Sequence, residues 1–445
     1  MIRTTFDKIK LSETTKFIVD NRGKTAPTEE TGIALIATNC ITNSSLYPSY
    51  DNVRYVSQET YDTWFRAHPA PGDVIVTNKG SQNGAICLVP DPVDFVIAQD
   101  MMALRANEEV IDPLYLFAAL RSPMAQWQIK SLDVSGVIPH FKKSDFDKLF
   151  LPYPDMPTQK AIGKIYFDFC AKIELNRRMN ATLESLARAI FKSWFVDFDP
   201  VKINAGKMPA SSAIPTTHDP KVLDLFPSTF QDSELGSIPK GWGVKTLNDL
   251  GEVNRGRSRH RPRHADHLYG GPYPFVQTGD IKASAGRITS YEQTYSEDGL
   301  AQSRLWPEGT MCITIAANIA ETAVLTFPAC FPDSVIGFIP DESKCRVYIA
   351  EYIFRLLKER LQREATGSVQ DNINLGTISR TYFVFPPIEL QNSFYELFEP
   401  INTQIISNER ESLTLAAHRD KLLPQLLSGE LPVPEALTVA EEALV

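Results

Sequence analysis

The sequence has no apolar run of the ~18 residues that a membrane-spanning helix needs, and its opening, MIRTTFDKIK, lacks the apolar core of a secretory leader. No two of its six cysteines (Cys40, Cys87, Cys170, Cys312, Cys330, Cys345) form a CxxC pair. That argues against a zinc ribbon and a disulfide framework, and predicts reduced thiols in a cytoplasmic protein. GxxxxGK[ST] is absent, as are an Asn-Pro-Pro-Tyr or Asp-Pro-Pro-Tyr tetrapeptide and a Gly-rich loop after a strand. These absences speak against a P-loop ATPase and against an adenine methyltransferase centre. A surplus of base is also lacking: the formal net charge is -9, an average that disfavours a phosphate-rich partner.

What is present fills 445 residues, 43% hydrophobic and 22% charged, enough for two to four ordinary globular domains. The charge is uneven. The tail ELPVPEALTVAEEALV carries Glu430, Glu435, Glu441 and Glu442 and no base, whereas RGRSRHRPRH gathers Arg255, Arg257, Arg259, Arg261 and Arg263. Where charge lies matters more than its sum.

The two halves echo each other at an offset of roughly 231 to 240 residues. The helical match is the best. Tyr166, Phe169, Ile173, Asn176, Asn180, Leu183, Ala187, Ile190 and Trp194 are answered by Phe398, Ile401, Ile405, Asn408, Ser412, Leu415, Arg419, Leu422 and Leu426. The spacing alternates three and four, the coiled-coil period. Each stripe has a polar notch at the same place, Asn176 with Asn408 and Asn180 with Ser412. A buried Asn pair disfavours slipped alignments at some cost in stability. Outside the helices, NRG recurs at Asn21–Gly23 and Asn254–Gly256, and LIATNCI (Leu35–Ile41) aligns with FVQTGDI (Phe275–Ile281). PGDVIVT (Pro71–Thr77) answers PEGTMCIT (Pro307–Thr314), and LFLPYPDMPTQ (Leu149–Gln159) answers YFVFPPIELQ (Tyr382–Gln391).

Short strand-like runs such as IALIA, DVIVT and AICLV alternate with turns rich in Gly, Asn and Pro. One helix is expected over DPLYLFAALRSPMAQWQI after an Asp112 cap. Two helices of about 40 residues, each about 60 Å long, are expected to pair as a spacer that holds two mixed domains apart. Pro400 and Pro424 predict a break or kink in the second. The expected fold is α+β: two tandem mixed α/β domains and two long antiparallel helices forming a coiled-coil strut, with a pseudo-twofold internal repeat.

IELNRRMNATLESLARAIFKSWFVDFDPV (Ile173–Val201), followed by DSELGSIPKGW (Asp232–Trp242), resembles the central conserved region of the specificity subunit of type I restriction–modification enzymes. DKLLPQLLSGEL (Asp420–Leu431) resembles that family's C-terminal conserved region. The resemblance implies target-recognition domains at 1–153 and 237–386, conserved spacer helices at 154–198 and 387–429, a linker at 199–236 and an acidic tail at 430–445. It also implies a DNA-reading scaffold without catalysis of its own. Each domain would read one half of a split site in double-stranded DNA. The helices would dock two methyltransferase subunits, joined in the restriction complex by two motor-nuclease subunits. No cofactor is then expected in this chain; S-adenosylmethionine, and ATP with Mg2+ in the restriction complex, would belong to the partners. Trp194, Phe195 and the FVDFDP exit are read as helix-end core or as a partner surface.

The candidate DNA-contacting residues follow from side-chain chemistry. In an extended segment, Arg255, Arg257, Arg259, Arg261 and Arg263 would share one side. There they could bond phosphates or fork onto guanine O6 and N7. Arg22 and Lys24 are their sparser counterpart. The polar loop TNKGSQNG offers Thr77, Asn78, Lys79, Ser81, Gln82 and Asn83, and TIAANIAET offers Thr314, Asn318, Glu321 and Thr322, fewer and less basic. Asn and Gln can pair with adenine N6 and N7. A third pair of loops offers His140, Lys142, Lys143, Gln370 and Asn372.

Two rival classes stand beside this reading. An enzyme acting on DNA finds only a short PD…ExK string, Pro332–Asp333 with Glu342-Ser343-Lys344, and the Arg-interleaved histidines His260, His264 and His267, where like charge opposes a metal cation. The second is a protein-only scaffold, two end domains on a helical strut that bind no DNA.

Overall fold

The computed structural model describes residues 5–21, 25–132, 139–213, 219–263, 265–366 and 373–444. It divides into two compact units, the first formed by residues 1–178 with 411–445 and the second by 179–410. Arg22, Lys24, His264, Gln370 and Asn372 lie outside the described residues.

Both units are mixed, and both follow one plan. In the first, a four-stranded antiparallel sheet has the order Thr15–Asp20, Met101–Ala106, Val74–Thr77, Ile86–Leu88. A smaller sheet sets Ile33–Ile36 antiparallel to Arg54–Val56 and parallel to Phe95–Ile97. In the second unit the corresponding sheet runs Gly251–Arg255, Val335–Pro340, Met311–Thr314, Thr322–Leu325, Arg287–Ile288, with only the last pair parallel. The central strands VIVT and MCIT are buried at every position. They read as unbroken apolar runs because both of their faces are covered. A two-stranded ribbon ends each half, Asp7–Lys10 with Phe150–Tyr153 and Gly243–Lys245 with Phe383–Phe385.

The helix expected after Asp112 is two helices, Pro113–Arg121 and Pro123–Ser131. Pro123 cannot donate to the preceding turn, and Ser122 turns extended and caps the second helix by accepting from the Ala125 amide.

The long helices run Met156–Phe195 and Ile388–Ser428. Asp155 starts the first by accepting from the Thr158 amide at 2.8 Å, and bonds from the Thr158 hydroxyl and amide together lower its carboxyl pKa. The same residue type fixes the lead-in strap twice. Buried Gln159 donates to the Pro154 carbonyl and accepts from the Asp112 amide. Buried Gln391 donates to the Pro386 carbonyl and accepts from the Arg346 amide. The expected break at Pro400 does not occur, and the helix is equally unbroken at Pro424. Phe394, Phe398 and Leu390 before Pro400, with Ile405 after it, are buried and hold the helix on its core. Leu422, Leu423, Leu426 and Leu427 do the same around Pro424. Gly429, at φ 75, supplies the left-handed stop, and a Cβ there would lie 2.2 Å from Thr5 Oγ1.

The polar notches meet. In the first unit Asn176 donates to Glu411 Oε2 at 2.7 Å and to Ser412 Oγ at 3.3 Å, beside a Lys172–Glu411 ion pair at 3.2 Å. In the second unit Asn408 donates to Asn180 Oδ1 at 2.8 Å, and Asn180 donates to the Ile405 carbonyl at 3.1 Å. In each unit the residue numbers rise on one helix as they fall on the other, so the helices are antiparallel. Phe169, Asn176, Ile190, Ile405, Asn408, Leu415 and Leu422 are buried in this seam, while Ile173, Asn180, Leu183, Ile401 and Ser412 are half-buried.

Two stretches are more structured than their composition predicts. Within 199–236 lie helices Asp199–Asn204 and Pro220–Leu223 and strand Phe230–Ser233. Val201, Val222 and Phe226 anchor this polar stretch in the second unit's core beside Trp194 and Phe195. The acidic tail forms a helix, Val433–Leu444, whose Ala436 and Ala440 are buried in the first unit's core. Their four-residue spacing puts both on one helix face, and Glu435, Glu441 and Glu442 remain exposed.

Each unit buries arginine against its helices. In the second, Glu184 accepts from Arg287 at 2.8 Å, Arg355 at 2.6 Å and Arg188 at 2.9 Å. Arg355 also pairs with Glu351 four residues earlier. Burial would raise the Glu184 pKa, but Arg355 and Arg287 outweigh it and hold the carboxyl below its usual range. In the first unit, Arg121 donates to the Ile86 carbonyl at 2.6 Å and the Thr42 carbonyl at 3.3 Å. Its guanidinium stacks 4.4 Å over Phe117, also four residues earlier.

Candidate nucleic-acid interface

The candidate residues sit on loops that the sheets present at equivalent strand ends. In the first unit the loop after Val74–Thr77 is closed by Thr77 itself. Its hydroxyl donates to the Gln82 carbonyl and accepts from the Ala85 amide at 2.9 Å. Thr314 repeats this in the second unit, donating to the Asn318 carbonyl and accepting from the Glu321 amide at 2.9 Å. Both threonines are fully buried. The reading of Thr77 and Thr314 as base contacts is therefore corrected: their hydroxyls are consumed in shaping the loops.

The first loop is joined to a second candidate segment. Lys79 and His140 form an antiparallel bridge, and Gly80 donates to the Pro139 carbonyl at 3.1 Å. The Phe141 amide donates to the Asn78 carbonyl at 2.9 Å and to Asn83 Oδ1 at 3.2 Å. Asn83 thus spends its acceptor holding the segments together and keeps its amide donors. Lys79, Ser81, Gln82, Lys142 and Lys143 are exposed on this joint surface. Among the described residues, Asn78 Oδ1 is buried with no hydrogen-bond partner.

The loop of the second unit is one residue shorter and carries little charge of its own. Lys282 supplies some, donating to Asn318 Oδ1 at 3.3 Å. Lys358 pairs with Glu321 at 2.9 Å. Arg188, Lys192, Lys282, Arg355 and Lys358 line a cavity of about 490 Å³ beside this loop. Sequence reasoning missed these cations because they come from separate segments; the only available signal was Lys282 one residue beyond the FVQTGDI repeat.

The arginine row holds only in part. Exposure alternates through Arg255, Arg257 and Arg259, with Gly256 and Ser258 buried between them. Gly256 permits this, since a Cβ there would lie 2.3 Å from the Pro332 carbonyl oxygen. Beyond Arg259 the row ends. Arg261 folds back to donate to the Ser258 carbonyl at 2.7 Å and the His260 carbonyl at 2.8 Å. Arg263 pairs with Asp333 at 2.9 Å, and Arg255 donates to the Asp333 carbonyl. Among the described residues, Arg257 and Arg259 make no ion pair.

Asp333, the acid of the PD…ExK string, is thus occupied by Arg263, and Lys344 pairs with Asp341 at 2.9 Å. Hydrogen bonding from Ser343 and Lys344 lowers the Asp341 pKa to about 2. The His260 and His267 rings meet edge to face at 5.0 Å. Among the described residues, no three His, Cys, Asp or Glu side chains are grouped to hold a metal ion. No described helix is long and apolar enough to cross a membrane.

The family model for the type I restriction modification DNA specificity domain matches twice, over residues 9–185 and 239–415. The chain is 27% identical over 404 residues to the type I restriction enzyme HindI specificity subunit of Haemophilus influenzae, covering 81% of this chain and 86% of that protein. It is 24% identical over 326 residues to the MjaIX specificity subunit of Methanocaldococcus jannaschii, covering 72% and 69%. The crystal structure of a type I restriction-modification S subunit from M. genitalium shares the fold, with a TM-score of 0.55 at 14% identity over 96% of this chain and 97% of that one. Two matched domains, each reaching into a long helix whose polar notch meets its partner's, place this chain in the family of type I restriction–modification specificity subunits.

Proposed function

We propose that each unit reads one half of a bipartite DNA site and that the paired helices set the length of the unread gap. The repeated strand-end loops, closed by Thr77 and Thr314, carry this reading, because they give both units a reading edge at the same point of one plan. In the first unit that edge is Lys79, Ser81, Gln82, Lys142 and Lys143. In the second it is Arg257 and Arg259 with Asn318 and Lys282. Arg255, Arg261 and Arg263 shape the second edge through their bonds to neighbouring carbonyls and to Asp333. The chain itself is non-catalytic in this reading. Two methyltransferase subunits bring S-adenosylmethionine, and two motor-nuclease subunits bring ATP with Mg2+ in the restriction complex. Leu175, Met179 and Leu186, exposed on the first long helix, suit such partners.

The test is a methylation map of plasmid DNA from cells expressing this chain with its methyltransferase subunit. A split motif with an unread gap is expected. Arg257→Ala should relax one half-site only; equal loss at both would mean a nonspecific clamp. Four residues inserted in each long helix should lengthen the gap, and an unchanged gap would exclude the helices as its ruler. A complex that assembles but leaves DNA unmethylated would favour the protein-only scaffold.

A further inference from the structure

The repeat allows the buried charges of the two units to be compared position by position. Arg121 and Arg355 follow the paired lead-in amides of Asp112 and Arg346 at the same distance. Glu351, which pairs with Arg355, is answered by Phe117, and Glu184 is answered by Ala416. Asn402, which accepts from Arg287, is answered by Cys170, and buried Ala187 is answered by Arg419. The second unit therefore sets buried Arg287 and half-buried Arg355 against two carboxylates, half-buried Glu184 and buried Glu351. The first unit buries Arg121 and Arg419, each only 7% exposed, and neither carboxylate position holds an acid.

Among the described residues, what surrounds the two guanidiniums is polar but uncharged, with one exception. Arg121 points at backbone carbonyls, and its Nη1 lies 4.0 Å from Cys170 Sγ. Arg419 Nη1 lies 3.8 Å from the same sulfur, and its Cζ sits 5.8 Å from the Tyr166 ring. The exception is Asp420, which accepts from Arg419 Nε at 2.8 Å, but its side chain is 65% exposed and screened by water. Both arginines line a cavity of about 440 Å³ with Asn43, Ser44, Tyr166 and Asp420. Its volume lies within the roughly 300–1,000 Å³ of ordinary ligand sites. Two buried cations without a buried anion are costly, and a guanidinium fork matches the oxygens of carboxylate or phosphate.

We infer that this cavity of the first unit is an oxyanion site in which Arg121 and Arg419 hold one carboxylate or phosphate group, doing from outside the chain what Glu184 and Glu351 do within the second unit. The group has two possible sources, a free anion or an acidic side chain of a partner subunit.

The probe is inorganic phosphate, compared with chloride at equal ionic strength, and the readout is amide hydrogen exchange on the full chain. Phosphate should slow exchange in helix 411–428 and around Arg121, leaving the segment around Arg355 unchanged. Arg419→Ala, which installs the residue found at the counterpart Ala187, should abolish the phosphate effect. In chloride it should leave stability equal to or above that of the parent. Arg419→Lys keeps the charge without the fork and should weaken phosphate binding at least tenfold; it also serves if the alanine variant does not fold. Repeating the measurement on the complex with the methyltransferase subunit separates the sources. A retained response marks a free anion, and a lost one marks a partner carboxylate already in place. No response in the parent chain, or an equal response in Arg419→Ala, overturns the proposal.

Discussion

The two units share backbone machinery and differ in charge. The duplicated parts are the ones that close loops and fix straps: Gln159 and Gln391 hold the lead-in to each helix, and Thr77 and Thr314 close each loop. The parts that differ lie where a side chain meets charge. Arg355 pairs with a carboxylate one turn back, whereas Arg121 stacks on a phenyl ring at that position. A duplicated fold keeps groups that satisfy buried backbone polarity, since an unpaired one costs about 1–3 kcal/mol wherever it occurs. Side-chain charges are held less strictly, provided that each unit finds its own compensation.

The sharpest way to break this comparison is to strip the second unit of its acid. Glu184→Ala leaves Arg287, which is 2% exposed, and Arg355 without their shared carboxylate. It should destabilise the second unit by about 3–5 kcal/mol, read as a lower urea midpoint. A loss below about 1 kcal/mol would mean that Glu351 and Glu409 suffice.

Next in size is a pH effect confined to the second unit. Burial, opposed by a Thr289 hydrogen bond and by Arg287 and reinforced by Glu184, pushes the Glu409 carboxyl up to about 7. Its folded pKa exceeds the unfolded value, so its contribution is fully present below about pH 4.5 and is lost as pH rises through about 7. Glu409→Gln should therefore match the parent near pH 4 and exceed it by roughly 2–3 kcal/mol at pH 8. Parallel stability curves across that range would refute the shift.

The smallest effect sharpens the comparison of the two loops. Gly80 takes φ 89 where the counterpart Ala317 takes φ 62. Among the described residues no atom lies within 4 Å of a Cβ built at Gly80, so Gly80→Ala costs backbone strain, about 1 kcal/mol. Ala317→Gly relieves the same strain and should stabilise by about 0.5–1 kcal/mol. Opposite signs in thermal unfolding would confirm that the loops share one backbone shape, and equal signs would deny it.

The helical pairing was legible in the sequence because the Asn notches interrupt a regular three-four spacing, and spacing is a local property. The sheets were legible where VIVT and MCIT repeat between turn residues. Thr77 and Thr314 were misread because a polar residue at a strand end looks the same whether it faces solvent or closes its own loop. The break at Pro400 is absent because proline's cost to a helix is local, whereas the aromatic packing that outweighs it comes from distant residues such as Tyr348 and Tyr352. Lys282 escaped notice because it meets Asn318 only through the fold.

The first unit takes its last 35 residues from the far end of the chain, and the Thr5 amide is hydrogen-bonded to the Ser428 carbonyl at 3.0 Å. Leu415, Leu422, Leu423, Leu426 and Leu427 belong to its core. On the ribosome, Tyr166 and Phe169 emerge long before these partners are made, and they wait uncovered while the whole second unit is synthesised. The domain that begins first is thus completed last, and a chain that terminates early releases a first unit without half of its helix pair.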